Sequence, residues 1–260
     1  MPIRPLSFGN LREGRPYPST TTFVFDGTLS MATTIRKPPG TPSPVRADYG
    51  RSVAARLAAT PGIRSAKTDS VTMFALPDFL SAEECALLIA TIDHGRRKST
   101  LLSSTNDPNF RTSDSCDLDR WHPLLQPIDE KIAHALGIAP EHGETMQGQR
   151  YAGGQQFRAH HDYFNENEPY WASMAVQGGQ RTWTAMVYLN DVEQGGATWF
   201  PQAGVRFNPR PGMLVAWDNM MADGSPNLAT LHEGMAVVEG TKYIITKWFR
   251  ERPWTPTIEP

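Results

Sequence analysis

Apolar and polar positions change period along this chain, and the change divides it into regions. Val71 to Leu76 is an apolar run stopped by Pro77, which predicts a strand. Ser81 with Glu84 three residues later forms a capping box. Cys85, Leu88, Ile89 and Ile92 then recur at helical spacing, giving a helix with a core face. A second helix is predicted over about Leu125 to Leu136. Leu125, Ile128, Ile132 and Leu136 share one face, Pro127 is tolerable in the first turn, and Gly137 suits the C-cap. Between them Arg96 to Arg111 is a long polar loop, a candidate lid. After Glu144, short strands alternate with Gly, Pro and Asn-Asp turns until about Arg250. Helices first and strands afterwards imply α+β, with the strands closing into a two-sheet barrel.

The first 68 residues look different. Pro, Ser, Thr, Gly and Arg interrupt short apolar words such as TTFVF, so residues 1–68 are expected to be a disordered or loosely packed extension to a domain over 69–254. Arg51 to Ala59 is expected to form a short helix, and Met31 is a candidate start. Net charge of −2 predicts no broad attraction to nucleic acid or membrane, and no apolar run is long enough to span a bilayer. Cys85 and Cys116 are too few and too far apart for a disulfide framework or zinc ribbon; reduced thiols in a cytoplasmic protein are expected.

The chemistry concentrates in His160-His161-Asp162, His232 and Lys242. An extended strand alternates its side chains, so His160 and Asp162 share a face and His161 points away. With His232 from a distant strand they make a 2-His-1-carboxylate set, which suits Fe(II) and leaves coordination positions open. Zinc competes, but a zinc hydrolase more often uses three nitrogens or thiolates and needs a nearby general base. His161 is the alternative ligand, while His94, His122, His134 and His142 read as ordinary surface residues. Lys242, ten residues past His232, could anchor an anionic co-substrate. Alternation in GTKYIITKW places Lys242, Ile244, Thr246 and Trp248 on one face and Tyr243, Ile245, Lys247 and Phe249 on the other. With Lys242 inward, Lys247 is expected at solvent.

Five segments carry a family likeness: FRTSDSCDL from Phe110, YAGGQQFRAHHDYF, MVYLNDVEQGGATWFP, PRPGMLVAWDN and LHEGMAVVEGTKYIITKW. Over about residues 70–253 the chain resembles the prolyl 4-hydroxylase-like 2-oxoglutarate and Fe(II)-dependent dioxygenases. Glu233-Gly234-Met235-Ala236 departs from the family's usual Ala-Gly-Cys-Pro and could alter a pocket wall without touching a ligand. The resemblance implies a double-stranded β-helix (jelly roll) core with N-terminal flanking helices. It also implies Fe(II), 2-oxoglutarate and O2 as reaction partners, with ascorbate as reductant. Hydroxylation of a C–H bond, most readily of a prolyl or proline-like substrate, would yield succinate and CO2. With Asp162 present, a hydroxylase is implied rather than a halogenase, which needs a vacant position for halide.

By the same resemblance Lys242 holds the distal carboxylate of 2-oxoglutarate, helped by the Tyr151 hydroxyl, with Thr184 a weaker candidate and Trp248 a pocket wall. Arg181 and Glu144 match positions facing a substrate groove. Tyr170 and Trp171, in the loop after the metal strand, could stack on a proline ring. The substrate could be a peptide or a small molecule. Two other classes stay open at this point: a metal-dependent hydrolase or cupin-type enzyme on a similar barrel, and a non-catalytic 2-oxoglutarate- or peptide-binding module.

Overall fold

The computed structural model describes residues 38–100 and 107–255. TTFVF and Met31 lie outside the described residues, as does the middle of the expected lid loop. What is described of that loop includes a short strand, Arg97–Lys98, paired with Asp114–Leu118.

Ordered structure begins earlier than the composition suggested. A helix over Pro44–Ala58 starts at the Ser43 N-cap, whose hydroxyl accepts from the Arg46 amide, and has a proline in its first turn. Its Ala47, Gly50, Val53 and Leu57 form a buried stripe, and Val53 and Leu57 belong to the main core. Residues 38–68 are therefore not a loose extension. The polar composition concealed a narrow apolar stripe on a mostly solvated helix.

The other two long helices follow the sequence closely. One spans Ala82–Gly95, with Ser81 and Glu84 completing both halves of the capping box. The next spans Gln126–Leu136 and ends at Gly137, whose φ of 69° is the left-handed conformation a C-cap favours.

Two antiparallel sheets carry the site, and a third, two-stranded one pairs Val237–Glu239 with Gln194–Gly195. The larger runs, edge to edge, Arg64–Ser65, Met73–Leu76, Leu214–Asp218, Arg181–Tyr188, Lys242–Arg250, Met146–Tyr151, Asp114–Leu118 and Arg97–Lys98. The smaller runs Val205–Phe207, Thr198–Phe200, His232–Gly234 and Phe157–His160. The arrangement is α+β with the jelly-roll core implied above.

Each face of the large sheet has its own core. Trp183, Ala185, Val187, Ile245 and Phe249 pack with Leu57, Leu88, Ile92, Ile132 and Leu136 of the helices. Gly148 permits that contact, because a Cβ there would strike the Ile92 side chain at 2.3 Å. On the other face, Tyr151, Met186, Tyr188, Trp217 and Ile244 cluster with Phe200 of the small sheet.

This double burial corrects the reading of Lys247. It does alternate away from Lys242, but the far face lies under a helix and not in solvent. Lys247 is fully buried; its ammonium donates to Asp129 on the helix Gln126–Leu136 and to the Glu144 carbonyl. A buried cation persists where an anion and a carbonyl satisfy it.

Candidate metal and co-substrate site

Strand register assembles the site. His232 pairs directly opposite His160 across the small sheet, so both imidazoles project from the same face with ring centroids 4.4 Å apart. The strand Phe157–His160 ends at the first histidine, and Asp162 lies just beyond it, not within it as alternation supposed. The chain bends there, yet the carboxylate still meets both rings. Its two oxygens lie 3.8 Å from His160 Nε2 and 3.9 Å from His232 Nε2. Ligand atoms of His160, Asp162 and His232 all lie within 4.8 Å of one another. His161 diverges as expected, its Nε2 facing the Leu228 carbonyl at 3.1 Å.

The donor set fits a divalent ion. His160 Nδ1 faces the Arg158 carbonyl at 2.8 Å and His232 Nδ1 the Thr230 carbonyl at 2.9 Å. Those contacts select the tautomer with Nδ1–H and turn a bare Nε2 inward from each ring. Burial, with His232 adding to it, pushes His160 down to about 3, so its imidazole is neutral and ready to ligate. Burial opposes ionisation of Asp162, yet His232, His160 and Arg181, with the Thr184 hydroxyl, hold its carboxyl below the usual range. Aromatic walls fix the rings: Phe157 stacks on His160 at 3.6 Å, and Phe200 on His232 at 5.0 Å.

Thr184 has a different place from the one implied. Its hydroxyl donates to Asp162 Oδ2 at 2.8 Å and accepts from Asn219 Nδ2 at 2.9 Å; Asn219 Oδ1 in turn accepts from Trp217 Nε1 at 3.1 Å. With its one proton directed at Asp162, Thr184 orients the carboxylate and does not turn towards Lys242. All three supporting residues are buried. Thr184→Val should weaken Fe(II) binding by roughly 10- to 100-fold, the usual cost of losing a group that orients a metal ligand. Anaerobic Fe(II) titration measures this, and unchanged affinity would remove Thr184 from the assignment.

Lys242 is opposite Tyr151 in the strand pairing and shares the interior with it. Among the described residues its ammonium has no ion pair. It faces the rings of Tyr151 and Tyr188, with centroids 5.1 and 5.4 Å away. Burial alone pushes it down to about 7. A buried cation left unpaired in this way suits an anion that arrives with a ligand. The Tyr151 hydroxyl donates to Gln149 Oε1 at 2.6 Å, and Gln149 Nε2 donates to Thr246.

Two adjoining cavities meet at the triad. The inner one is lined by Lys242, Tyr151, Gln149, Thr246, Met186 and Trp217; His160, Asp162, Phe157 and Trp248 border both. The outer one is lined by Arg111, Gln147, Phe164, Tyr170 and Arg181 among others.

The expected substrate residues divide there. Arg181 lines the outer cavity, its guanidinium 4.2 Å from the Trp248 ring centroid and 4.7 Å from that of Phe164. Glu144 stands behind it, off the lining, gripped by Arg181 through two hydrogen bonds of 2.7 and 2.6 Å and lying 2.9 Å from Arg250 Nε. Glu144 therefore acts on the cavity only through Arg181. Tyr170 lines the cavity, whereas Trp171, the first residue of a short helix to Val176, does not. Successive residues at a helix start point in different directions, so the pair cannot both face one ring.

Nothing in the sequence alone singles out Phe157, Asn219, Trp217 or Arg111. Asn219 and Trp217 close the segment PRPGMLVAWDN, and Arg111 sits in FRTSDSCDL, but only strand register brings them to the site. Of the histidines set aside, His94, His122 and His134 are exposed, while His142 is half-buried and stacked on Tyr49. Cys85 and Cys116 are buried free thiols. Among the described residues, no helix is long and apolar enough to cross a membrane.

Comparison with known proteins adds to this geometry. Residues 146–250 match the model of the 2OG-Fe(II) oxygenase superfamily. The chain is 33% identical over 199 residues to probable prolyl 4-hydroxylase 3 of Arabidopsis thaliana, covering 67% of this chain and 68% of the relative. Prolyl 4-hydroxylase 1 of the same plant is 32% identical over 203 residues, 70% of each chain. Among solved structures, the viral collagen prolyl hydroxylase of Paramecium bursaria Chlorella virus-1, in its 2OG complex, is 28% identical with a TM-score of 0.54. That match covers 68% of this chain and 95% of the viral one. These relatives favour an oxygenase over the hydrolase and binding-module alternatives.

Proposed function

Since the chain belongs to the 2OG-Fe(II) oxygenase superfamily, as a prolyl 4-hydroxylase-like hydroxylase, we propose that it hydroxylates a prolyl residue of a peptide. In this reading His160, Asp162 and His232 hold Fe(II), and Lys242 with Tyr151 anchors the distal carboxylate of 2-oxoglutarate. One observation carries the assignment: the triad lies where an inner cavity, holding a lysine with no ion pair among the described residues, meets an outer one lined by aromatics and Arg181.

Fe(II) with 2-oxoglutarate and O2 supplies the oxidant for inserting one oxygen atom into a C–H bond, leaving succinate and CO2. The chain's own residues do the rest. Lys242 brings a buried charge that a dicarboxylate satisfies, which fixes the co-substrate's direction. Phe157 and Phe200 hold the imidazoles, and Thr184 holds the carboxylate, so the ligand geometry is set before substrate arrives. Tyr188, Phe200 and Trp217 pack the interior around the inner chamber and limit water there. Trp248 borders both chambers and offers its ring to a prolyl side chain, and Arg181, locked by Glu144, presents N–H groups for a peptide carbonyl.

The test incubates the protein with Fe(II), 2-oxoglutarate, ascorbate and O2 against proline-containing peptides, free proline and other free amino acids. A gain of one oxygen on a peptidyl proline, matched by succinate, is expected. Oxidation of free amino acids alone would overturn the peptide assignment.

A further inference from the structure

The outer chamber is closed on one side by the enzyme's own chain. Pro38-Pro39-Gly40 runs along the loop that follows Asp162, and Pro39 is part of the chamber lining together with His160, Asp162, Tyr170 and Trp248. The segment is anchored. Asn167 Nδ2 donates to the Pro38 carbonyl at 2.7 Å, and the Glu166 amide donates to the Pro39 carbonyl at 2.7 Å. Glu166 in turn accepts from the Thr41 amide and hydroxyl at 3.1 and 3.2 Å and pairs with the buried Arg46 at 3.1 Å.

Proline offers the backbone an acceptor and no donor, and this loop meets two successive prolines with donors alone. Gly40 is required by the same packing: a Cβ there would lie 2.7 Å from the Glu166 carboxyl group and 2.8 Å from the Pro226 side chain. The sequence held here is thus Pro-Pro-Gly, with Pro39 immediately before glycine. That is the Y position of a Gly-X-Y triplet, where hydroxyproline occurs in collagen. Of the four prolines in residues 38–44, Pro39 is the one lining the chamber; Pro42 is exposed and Pro44 begins the helix.

We propose that Pro39 is an internal substrate, hydroxylated by the active site of its own chain, an inference that rests on the prolyl hydroxylase reading above. The step balances with the reactants of that activity. One atom of O2 is inserted into a ring C–H bond of Pro39, whose hydrogen ends in the new hydroxyl. The other atom enters succinate as 2-oxoglutarate loses CO2. Two of the four electrons that reduce O2 come from the C–H bond and two from the decarboxylation. Because each chain carries one Pro39, the modification stops at one oxygen per molecule.

The experiment uses the full chain purified without iron or oxygen, then given Fe(II), 2-oxoglutarate, ascorbate and O2 with no added peptide. Mass spectrometry of the peptide spanning Lys37 to Arg46, with fragmentation, should place one added oxygen on Pro39. The rate should not change on dilution of the protein. Asp162→Ala should abolish the gain, and Pro42→Ala should leave it. Oxygen on Pro42 or Pro44 in place of Pro39 would overturn the proposal, as would a rate rising with protein concentration, which signals transfer between molecules. An unmodified Pro39 in a sample that hydroxylates added proline peptides would overturn the internal substrate and leave the prolyl reading standing. No oxygen on Pro39 or on any peptide, with 2-oxoglutarate still consumed, would overturn both.

Discussion

Asp162→Ala should abolish iron-dependent consumption of 2-oxoglutarate. Asp162 is the one anion among the three clustered ligands, 5% exposed, with an oxygen directed at each histidine. Its loss leaves two neutral imidazoles to hold a dication and frees the Thr184 hydroxyl of its acceptor. Changes in the groups behind metal ligands cost about 10- to 100-fold, so removal of a charged ligand should exceed roughly 100-fold in Fe(II) affinity. Succinate production and anaerobic Fe(II) titration read the effect, with thermal unfolding to confirm that the variant is folded. The enlarged ligand vacancy does not restore hydroxylation, because the remaining donors no longer set the ion's position. A variant retaining a tenth of wild-type turnover would show that Asp162 is not a ligand.

Lys242→Ala should raise the 2-oxoglutarate requirement far more than it lowers turnover at saturation. The ammonium has no counter-ion among the described residues and lies wholly inside the inner cavity wall. Truncating one partner of a buried charge pair costs about 2–5 kcal/mol, or roughly 30- to 5,000-fold in the co-substrate constant. An unchanged requirement would place the dicarboxylate elsewhere. The same burial predicts an opposite effect on stability without co-substrate. Lys242 binds a proton up to pH 10.5 when unfolded but only to about 7 when folded, so burying the charged form destabilises the fold at and below neutral pH. Lys242→Met should therefore stabilise the empty protein by a few kcal/mol at pH 7 or lower. The difference should shrink as pH rises towards 10.5. Chemical denaturation of both proteins across that range gives the curve.

Much of this was legible in the sequence, for identifiable reasons. The capping box at Ser81 and the glycine stop at Gly137 are local signals, and both helices appear where those signals put them. The metal set is legible because two residues separated by one position must stay close in space, even though the strand stops at His160 and alternation does not reach Asp162. What the sequence could not give was register. It takes the pairing of His232 with His160 and of Thr184 with both Trp217 and Trp248 to show that Thr184 serves the carboxylate. Lys247 departs from its expected exposure for a related reason: alternation reports which face a residue takes, not what covers that face. For Glu144 and Trp171 position in the sequence alone points to the substrate, whereas packing puts one behind Arg181 and the other at the start of a short helix, off the cavity lining. The expected helix at Arg51–Ala59 corresponds to the C-terminal half of Pro44–Ala58; its place in the domain is hidden in the sequence because the buried stripe is only a few residues wide.

The most direct test is diffraction at the iron absorption edge on protein loaded anaerobically with Fe(II) and 2-oxoglutarate. A single anomalous peak should lie within bonding distance of His160 Nε2, an Asp162 oxygen and His232 Nε2. A peak that omits His232, or iron bound at any other group of side chains, would contradict the assignment.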